Sequence, residues 1–236
     1  MCAVIGVYAR NSPEVLYYIR RLFEESQIRG KHATGLSFIK NCWIETVIEP
    51  IGSKEFINSF DLNDLPEVIN LIGHCRYSTS DLRYNQPIAN KFNSIVHNGV
   101  ITQKDPSLWK EHFGYDCATK NDSELILKCL EAGKEPLEEF YPSSISVIGL
   151  SLDYIYFFRN GSRPLWYVVL DNNYFIASTK DILNRTFDIK VCPVKCSAGI
   201  IYELVEERLN VSFPLIKVPD LQKDLPCSDY YSKVVL

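Results

Sequence analysis

The sequence predicts an α+β fold with stacked, mostly antiparallel sheets. Three observations carry that expectation. Strand-like apolar runs are many, helical stripes are few, and no regular alternation of strand and helix marks a parallel sheet.

The elements follow in order. Cys2 to Tyr8 is short, apolar and β-prone, and reads as a buried strand. Ser12 and Pro13 fit an N-cap and a first helical position. Val15, Leu16, Ile19, Leu22 and Phe23 then form the apolar stripe of a helix ending near Gly30. Thr34 to Ile39 and Trp43 to Ile48 read as strands, and Lys54 to Phe60 as a short helix. Val68 to Cys75 and Ser94 to Val100 are two further buried strands, and Asp122 to Leu130 is a helix with Gly133 near its C-terminus. Ile145 to Phe158 and Leu165 to Ser178 are long strand-like runs separated by the turn residues Asn160-Gly161. Asp171-Asn172-Asn173 splits the second run. Thr179 to Thr186 reads as a short helix, and Ile200 to Val205 and Val211 to Val218 as closing strands. The expected organisation is one domain over residues 1–218 and a polar, Pro-containing tail over 219–236.

Composition sets the class. Of the 236 residues 46% are hydrophobic and 23% charged, the balance of an ordinary soluble domain. A net charge of −4 gives no electrostatic footprint for nucleic acid or an anionic membrane. The N-terminus has no basic stretch leading into an apolar run, and nothing approaches a membrane span. Eight cysteines at irregular spacing, with no CxxC pair, argue against both a disulfide framework and a metal site. The expected setting is a reducing cytoplasm with free thiols, no metal and no cofactor.

Cys2 is the residue around which the chemistry is read. After removal of Met1 it would carry both a thiol and a free α-amine. Their ordinary pKa values, about 8.5 and about 7.7–8.0, are close enough for the amine to take the thiol's proton. That pairs a nucleophile with its own base and requires no histidine. Four further segments hold residues that packing alone does not demand. These are Arg29-Gly30-Lys31-His32-Ala33-Thr34-Gly35, Gly73-His74-Cys75-Arg76-Tyr77-Ser78-Thr79, His97-Asn98-Gly99 and Asn121-Asp122-Ser123-Glu124. His97 and His74 read as hydrogen-bonded core residues rather than bases, His112 as a surface residue, and Asp122 also suits a helix N-cap.

Taken together these segments resemble the glutaminase domain of the class II glutamine amidotransferases, which are N-terminal nucleophile hydrolases. The family opens MCGI.G, and this chain opens MCAVIG. It continues RG.D..G, here RGKHATG, and GH.RW.T, here GHCRYST. Gln86-Pro87 precedes His97-Asn98-Gly99, Asp122-Ser123-Glu124 stands for the acidic helix opening, and Arg163-Pro164-Leu165 and Ala177-Ser178 follow. The motifs keep the family's order over about 180 residues.

The resemblance implies a four-layer αββα sandwich of two stacked, mostly antiparallel sheets. It implies that Cys2 attacks the side-chain amide of L-glutamine and forms a glutamyl thioester, with Asn98 and the N–H of Gly99 as the oxyanion hole. Arg76 would clamp the substrate's α-carboxylate, Asp122 would receive its α-ammonium, and Tyr77 and Thr79 would line the pocket. Departures stand at Ala3 for the usual glycine, His32 for aspartate and Tyr77 for tryptophan. No room for an acceptor domain and no phosphate-cradling glycine loop is visible, so the expected partner is a separate ammonia-accepting synthase subunit. The RGKHATG loop and the Ser78-to-Asn85 segment are candidate gates. Two alternatives are another N-terminal-nucleophile amidase and a non-catalytic glutamine-binding or scaffold domain.

Overall fold

The computed structural model describes residues 2–77, 83–188, 191–205 and 208–212. In chain order the elements are β1 (Ala3–Arg10), α1 (Pro13–Ser26), β2 (Ala33–Lys40), β3 (Trp43–Glu49), α2 (Ser53–Ser59), β4 (Val68–Arg76), β5 (Ile88–Ala89) and β6 (Asn93–His97). Then come α3 (Trp109–Phe113), α4 (Glu124–Glu131), α5 (Pro136–Glu139), β7 (Ser146–Ser151), β8 (Ile155–Arg159), β9 (Trp166–Leu170) and β10 (Asn173–Ala177). The last are α6 (Lys180–Thr186), β11 (Val194–Lys195), β12 (Ile201–Val205) and β13 (Arg208–Ser212).

Local chemistry explains the boundaries. The Ser12 hydroxyl accepts from the Val15 N–H, and Pro13 opens α1. Thr179 caps α6 in the same way, accepting from Ile182. The run from Leu165 divides at Asp171 and Asn172, both left-handed (φ 49° and 61°), into the β9–β10 hairpin. Several boundaries differ from the sequence reading, most by one or two residues, with larger shifts at α1, β6 and the last strand, which begins at Arg208. α1 stops at Ser26 rather than near Gly30. β6 stops at His97 rather than Val100, because the chain there pairs with Ser144 and Ser146 outside a regular ladder. Ile145 to Phe158 is a hairpin of β7 and β8, not one strand. The expected strand over Val211 to Val218 is described only to Ser212, and the 219–236 tail lies outside the described residues.

The described strands form two antiparallel sheets, ordered β11-β9-β10-β1-β4-β2-β3 and β13-β12-β8-β7-β6-β5. Strand alternation then sorts side chains by face. Ala3, Ile5 and Val7 of β1 join a core with Ile19, Leu22 and Phe23 of α1, Phe56 of α2 and Leu183 of α6. Val4 and Tyr8 face the other way, into a core between the sheets with Ile72, Val96 and Ile148. Ile95 and Val147 pack outward against Leu125 and Ile126 of α4 and Leu137 of α5. The result is the four-layer αββα order, helices outside and two sheets within. Burying a Leu, Ile or Phe side chain of this kind stabilises by about 1.5–3 kcal/mol, so these three cores carry the fold.

Candidate active site

The same alternation delivers the site. Cys2 has the parity of Val4, so it lies on the face of the first sheet that meets the second. The β1–β4 register, Ala3 opposite Cys75, continued by one residue sets Cys2 opposite Arg76. On the second sheet, Asn98 has the parity of Val96 and faces back toward the first sheet. His97 has the parity of Ile95 and turns outward to α4. Nucleophile position and arginine therefore meet at the rim that Gly99, just beyond the end of β6, also lines.

A cavity of about 550 Å³ opens there, within the roughly 300–1,000 Å³ of small-molecule sites. Cys2, Arg76, Tyr77, Gly99 and Asp122 all line it, as do His74, Gln86, His97 and Ser123. Its outer wall is Thr102, Gln103, Lys104, Trp109 and Lys120. Asn98 lies behind this surface, 4% exposed. Thr79 and most of the Ser78-to-Asn85 segment lie outside the described residues.

Two neighbouring donors are unspent. The N–H groups of Asn98 and Val100 bond to the carbonyls of Ser146 and Ser144, at 2.9 and 3.1 Å. The Gly99 N–H between them has no partner among the described residues and points away from β7. The side-chain Nδ2 of Asn98 is buried and likewise without a partner there. Gly99 is required by space: a Cβ would sit 1.8 Å from the Ser144 carbonyl oxygen.

Arg76 donates from Nη1 to the Tyr84 carbonyl (2.7 Å) and to Asn85 Oδ1 (2.6 Å), which holds the guanidinium at the rim. Asp122 does not cap α4. Its Oδ2 accepts from the N–H groups of Ile101 (2.6 Å) and Thr102 (3.2 Å), and Oδ1 takes no hydrogen bond from the described residues. Tyr77 is half exposed, and its ring lies 4.9 Å from that of His32. The methyl of Ala3 is fully buried in the core under α1, so the departure from glycine is absorbed by packing.

Further residues of the quoted motifs, to which the sequence reading assigned no part in the chemistry, support the site. Arg29 Nε donates to the carbonyl oxygen of Cys2 at 2.8 Å, and Gly30 lies so close to the Cys75–Arg76 backbone that a Cβ would meet it at 2.4 Å. Gln86 Oε1 accepts from the His97 N–H (2.6 Å), and its Nε2 donates to Ser123 Oγ (3.1 Å). Ser123 Oγ is 2.8 Å from His97 Nδ1, and His97 Nε2 is 3.1 Å from the Ser144 carbonyl. That carbonyl can only accept, so Nε2 carries the proton and Nδ1 accepts from Ser123. Burial, the largest influence, holds His97 below its ordinary pKa, against the opposing pull of Asp122. His74 is equally buried, and burial pushes it down to about 3. Neither of its ring nitrogens makes a hydrogen bond of ordinary geometry among the described residues, and only a weaker interaction with the His97 backbone opposes the effect of burial. Cys75, on the opposite face of β4, is raised to about 12 by burial and is a packing residue.

Among the described residues no cluster of His, Cys, Asp and Glu could hold a metal ion, no helix is long and apolar enough to cross a membrane, and the seven cysteines are unbridged.

Sheet order, layering and the cavity at the β1 and β6 ends define a class of architecture. The fold is that of the class II glutamine amidotransferase domains, with the layering of N-terminal nucleophile hydrolases. Among similar solved structures is the glutamine phosphoribosylpyrophosphate amidotransferase of B. subtilis, with a TM-score of 0.70 and 18% identity over 92% of this chain and 50% of that one. An allosteric regulatory enzyme of purine biosynthesis gives 0.71 and 17% over the same shares. A glutamine aminotransferase class-II domain protein from Silicibacter pomeroyi gives 0.57 and 10%, over 89% of this chain and 98% of that one. The chain spans half the length of the first two. No family model and no curated protein matches its sequence.

Proposed function

We propose that this chain carries a glutaminase site over residues 1–218 and hydrolyses the side-chain amide of L-glutamine. The observation that supports the reading most is the sharing of one cavity by Cys2, Arg76, Gly99 and Asp122. With Met1 removed, the α-amine of Cys2 takes the thiol proton and the thiolate attacks the amide carbon. The developing oxyanion is received by the Gly99 N–H and Asn98 Nδ2, the two donors without partners. The C–N bond breaks, ammonia departs with the proton returned by the amine, and a glutamyl thioester remains. Water then adds to the thioester carbonyl, sulfur leaves and glutamate is released.

Selectivity for a free amino acid rests on opposite charges at the rim. Arg76 presents a planar fork to the α-carboxylate, and the unspent Oδ1 of Asp122 receives the α-ammonium. Thr79 and Tyr77 would complete the pocket. The ammonia passes to a synthase on a separate subunit, in a reducing cytoplasm that suits the unbridged thiols. The Silicibacter neighbour, matched over 98% of its length, is a solved chain of this domain's size. The test is release of glutamate and ammonia from glutamine by the processed protein, abolished by Cys2→Ala. Turnover that survives Cys2→Ala would refute the glutaminase reading. Amination of an acceptor by this chain alone would refute the separate synthase.

A further inference from the structure

Two consecutive residues grip both flanks of one turn. Asp122 holds its far side through the N–H groups of Ile101 and Thr102, and Ser123 holds its near side through His97 Nδ1. Between them lies Asn98-Gly99-Val100. Gln86 closes the triangle, accepting from the His97 main chain and donating to the same Ser123 hydroxyl. His97, Ser123 and Gln86 are 2%, 2% and 6% exposed, so the three bonds form a largely desolvated network in which losing one member is costly.

The direction of every proton in this set is fixed. Gln86 Nε2–H donates to Ser123 Oγ, Ser123 O–H donates to His97 Nδ1, and His97 Nε2–H donates to the Ser144 carbonyl. That carbonyl also accepts the Val100 N–H and lies where a Gly99 Cβ would be. A neutral imidazole protonated at Nδ1 instead would turn a bare Nε2 lone pair on the Ser144 carbonyl and leave the Ser123 O–H without its acceptor, loosening the peptide next to the Gly99 N–H. The segment Tyr84–Gln86 extends the same connection to the rim, since the Tyr84 carbonyl accepts from both Arg76 and Asn121.

We propose that Gln86 and Ser123 are positioning residues that lock His97 as the neutral Nε2–H tautomer. They thereby hold the Asn98–Gly99 peptide in place as an oxyanion hole, coupled through Asp122–Ser123 to the site that takes the substrate's ammonium. This rests on the glutaminase reading. It adds two residues of the cavity wall that act through His97, and it predicts an effect on turnover rather than on binding. Truncating Ser123 leaves Asp122 and Arg76 in place, so KM is spared while the oxyanion donors lose their fixed position.

The experiment combines kinetics with histidine-selective ¹⁵N NMR on the full chain. In the unsubstituted protein His97 should show one neutral Nε2–H tautomer. Ser123→Ala should mix the tautomers and lower kcat for glutamine by at least about tenfold, with KM within about threefold. Ser123→Thr, which restores the hydroxyl, should recover most of the rate, and Gln86→Met should repeat the Ser123→Ala pattern with an unchanged near-UV CD spectrum. A cationic or Nδ1–H His97 in the unsubstituted protein would overturn the lock. So would Ser123→Ala with kcat within twofold, or an effect on KM alone. Inactivity of the unsubstituted protein toward glutamine would instead refute the glutaminase reading, while the tautomer measurement, which needs no turnover, would still decide the lock.

Discussion

Arg29 Nε donates to the carbonyl oxygen of Cys2 at 2.8 Å, from a side chain only 6% exposed. The bond joins the nucleophile's own peptide to the loop that follows α1. The next residue, Gly30, presses on the Cys75–Arg76 backbone, so one turn of chain fixes both Cys2 and the start of the arginine's strand end. Replacing Arg29 by Ala removes a charged donor from a buried carbonyl. The expected cost is about 1.5–3 kcal/mol in denaturant unfolding, with alkylation of Cys2 slowed roughly tenfold. An unchanged alkylation rate would remove Arg29 from the account.

Gly99 and Gly114 make a contrasting pair. Gly99→Ala has no space, because the new methyl meets the Ser144 carbonyl and the His97 ring. It should destabilise by at least about 2 kcal/mol and abolish turnover. Gly114, left-handed with nothing within 4 Å, should cost about 1 kcal/mol on change to Ala and leave turnover intact. Equal effects in urea titration and glutaminase assay would contradict this.

Acid should weaken the fold through the two buried imidazoles. Burial, followed by Arg76 and His97, holds His74 at about 3, and burial with Arg163 holds His97 low against Asp122 and the Ser144 carbonyl. In the unfolded chain each takes a proton near pH 6.5. The unfolded state therefore binds more protons below that pH, and stability falls as pH falls from about 6.5 toward about 3 by roughly 1.4 kcal/mol per pH unit for His74, with His97 contributing in the same direction. His74→Gln should remove its share of that slope. A flat stability profile between pH 6.5 and 4.5 would show that these rings are not held neutral.

Asn98→Ala removes one of the two unspent donors while leaving the cavity surface untouched. The expected loss is on the order of a hundredfold or more in kcat, with KM little changed. A rise in KM alone would place Asn98 in binding instead.

How much of this was readable in the sequence depends on range. Ser12-Pro13, Thr179 and the Asp171-Asn172 turn act within a few residues, and the pattern exposed them. Strand alternation along Cys2–Tyr8 likewise settled which face the nucleophile takes once the sheets were stacked. The site residues came from motif order, yet Asp122 bonds to residues 20 and 21 positions away instead of to its own helix. Gln86, Ser123 and Arg29 act across 11, 26 and 27 residues, through hydrogen bonds that no local period encodes. His74 shows the limit most plainly. Its burial follows from the strand, but which polar groups stand near its ring is set by the facing sheet, which no local pattern encodes.

The most direct measurement is intact mass after treatment with 6-diazo-5-oxo-norleucine, a glutamine-mimicking alkylator, with and without glutamine. The account predicts loss of Met1 and a single adduct on Cys2 that glutamine suppresses. Exposed Cys42 and Cys192 and buried Cys75 should remain unmodified. Retained methionine with no adduct, or an adduct elsewhere that glutamine does not prevent, would contradict a glutaminase built on Cys2.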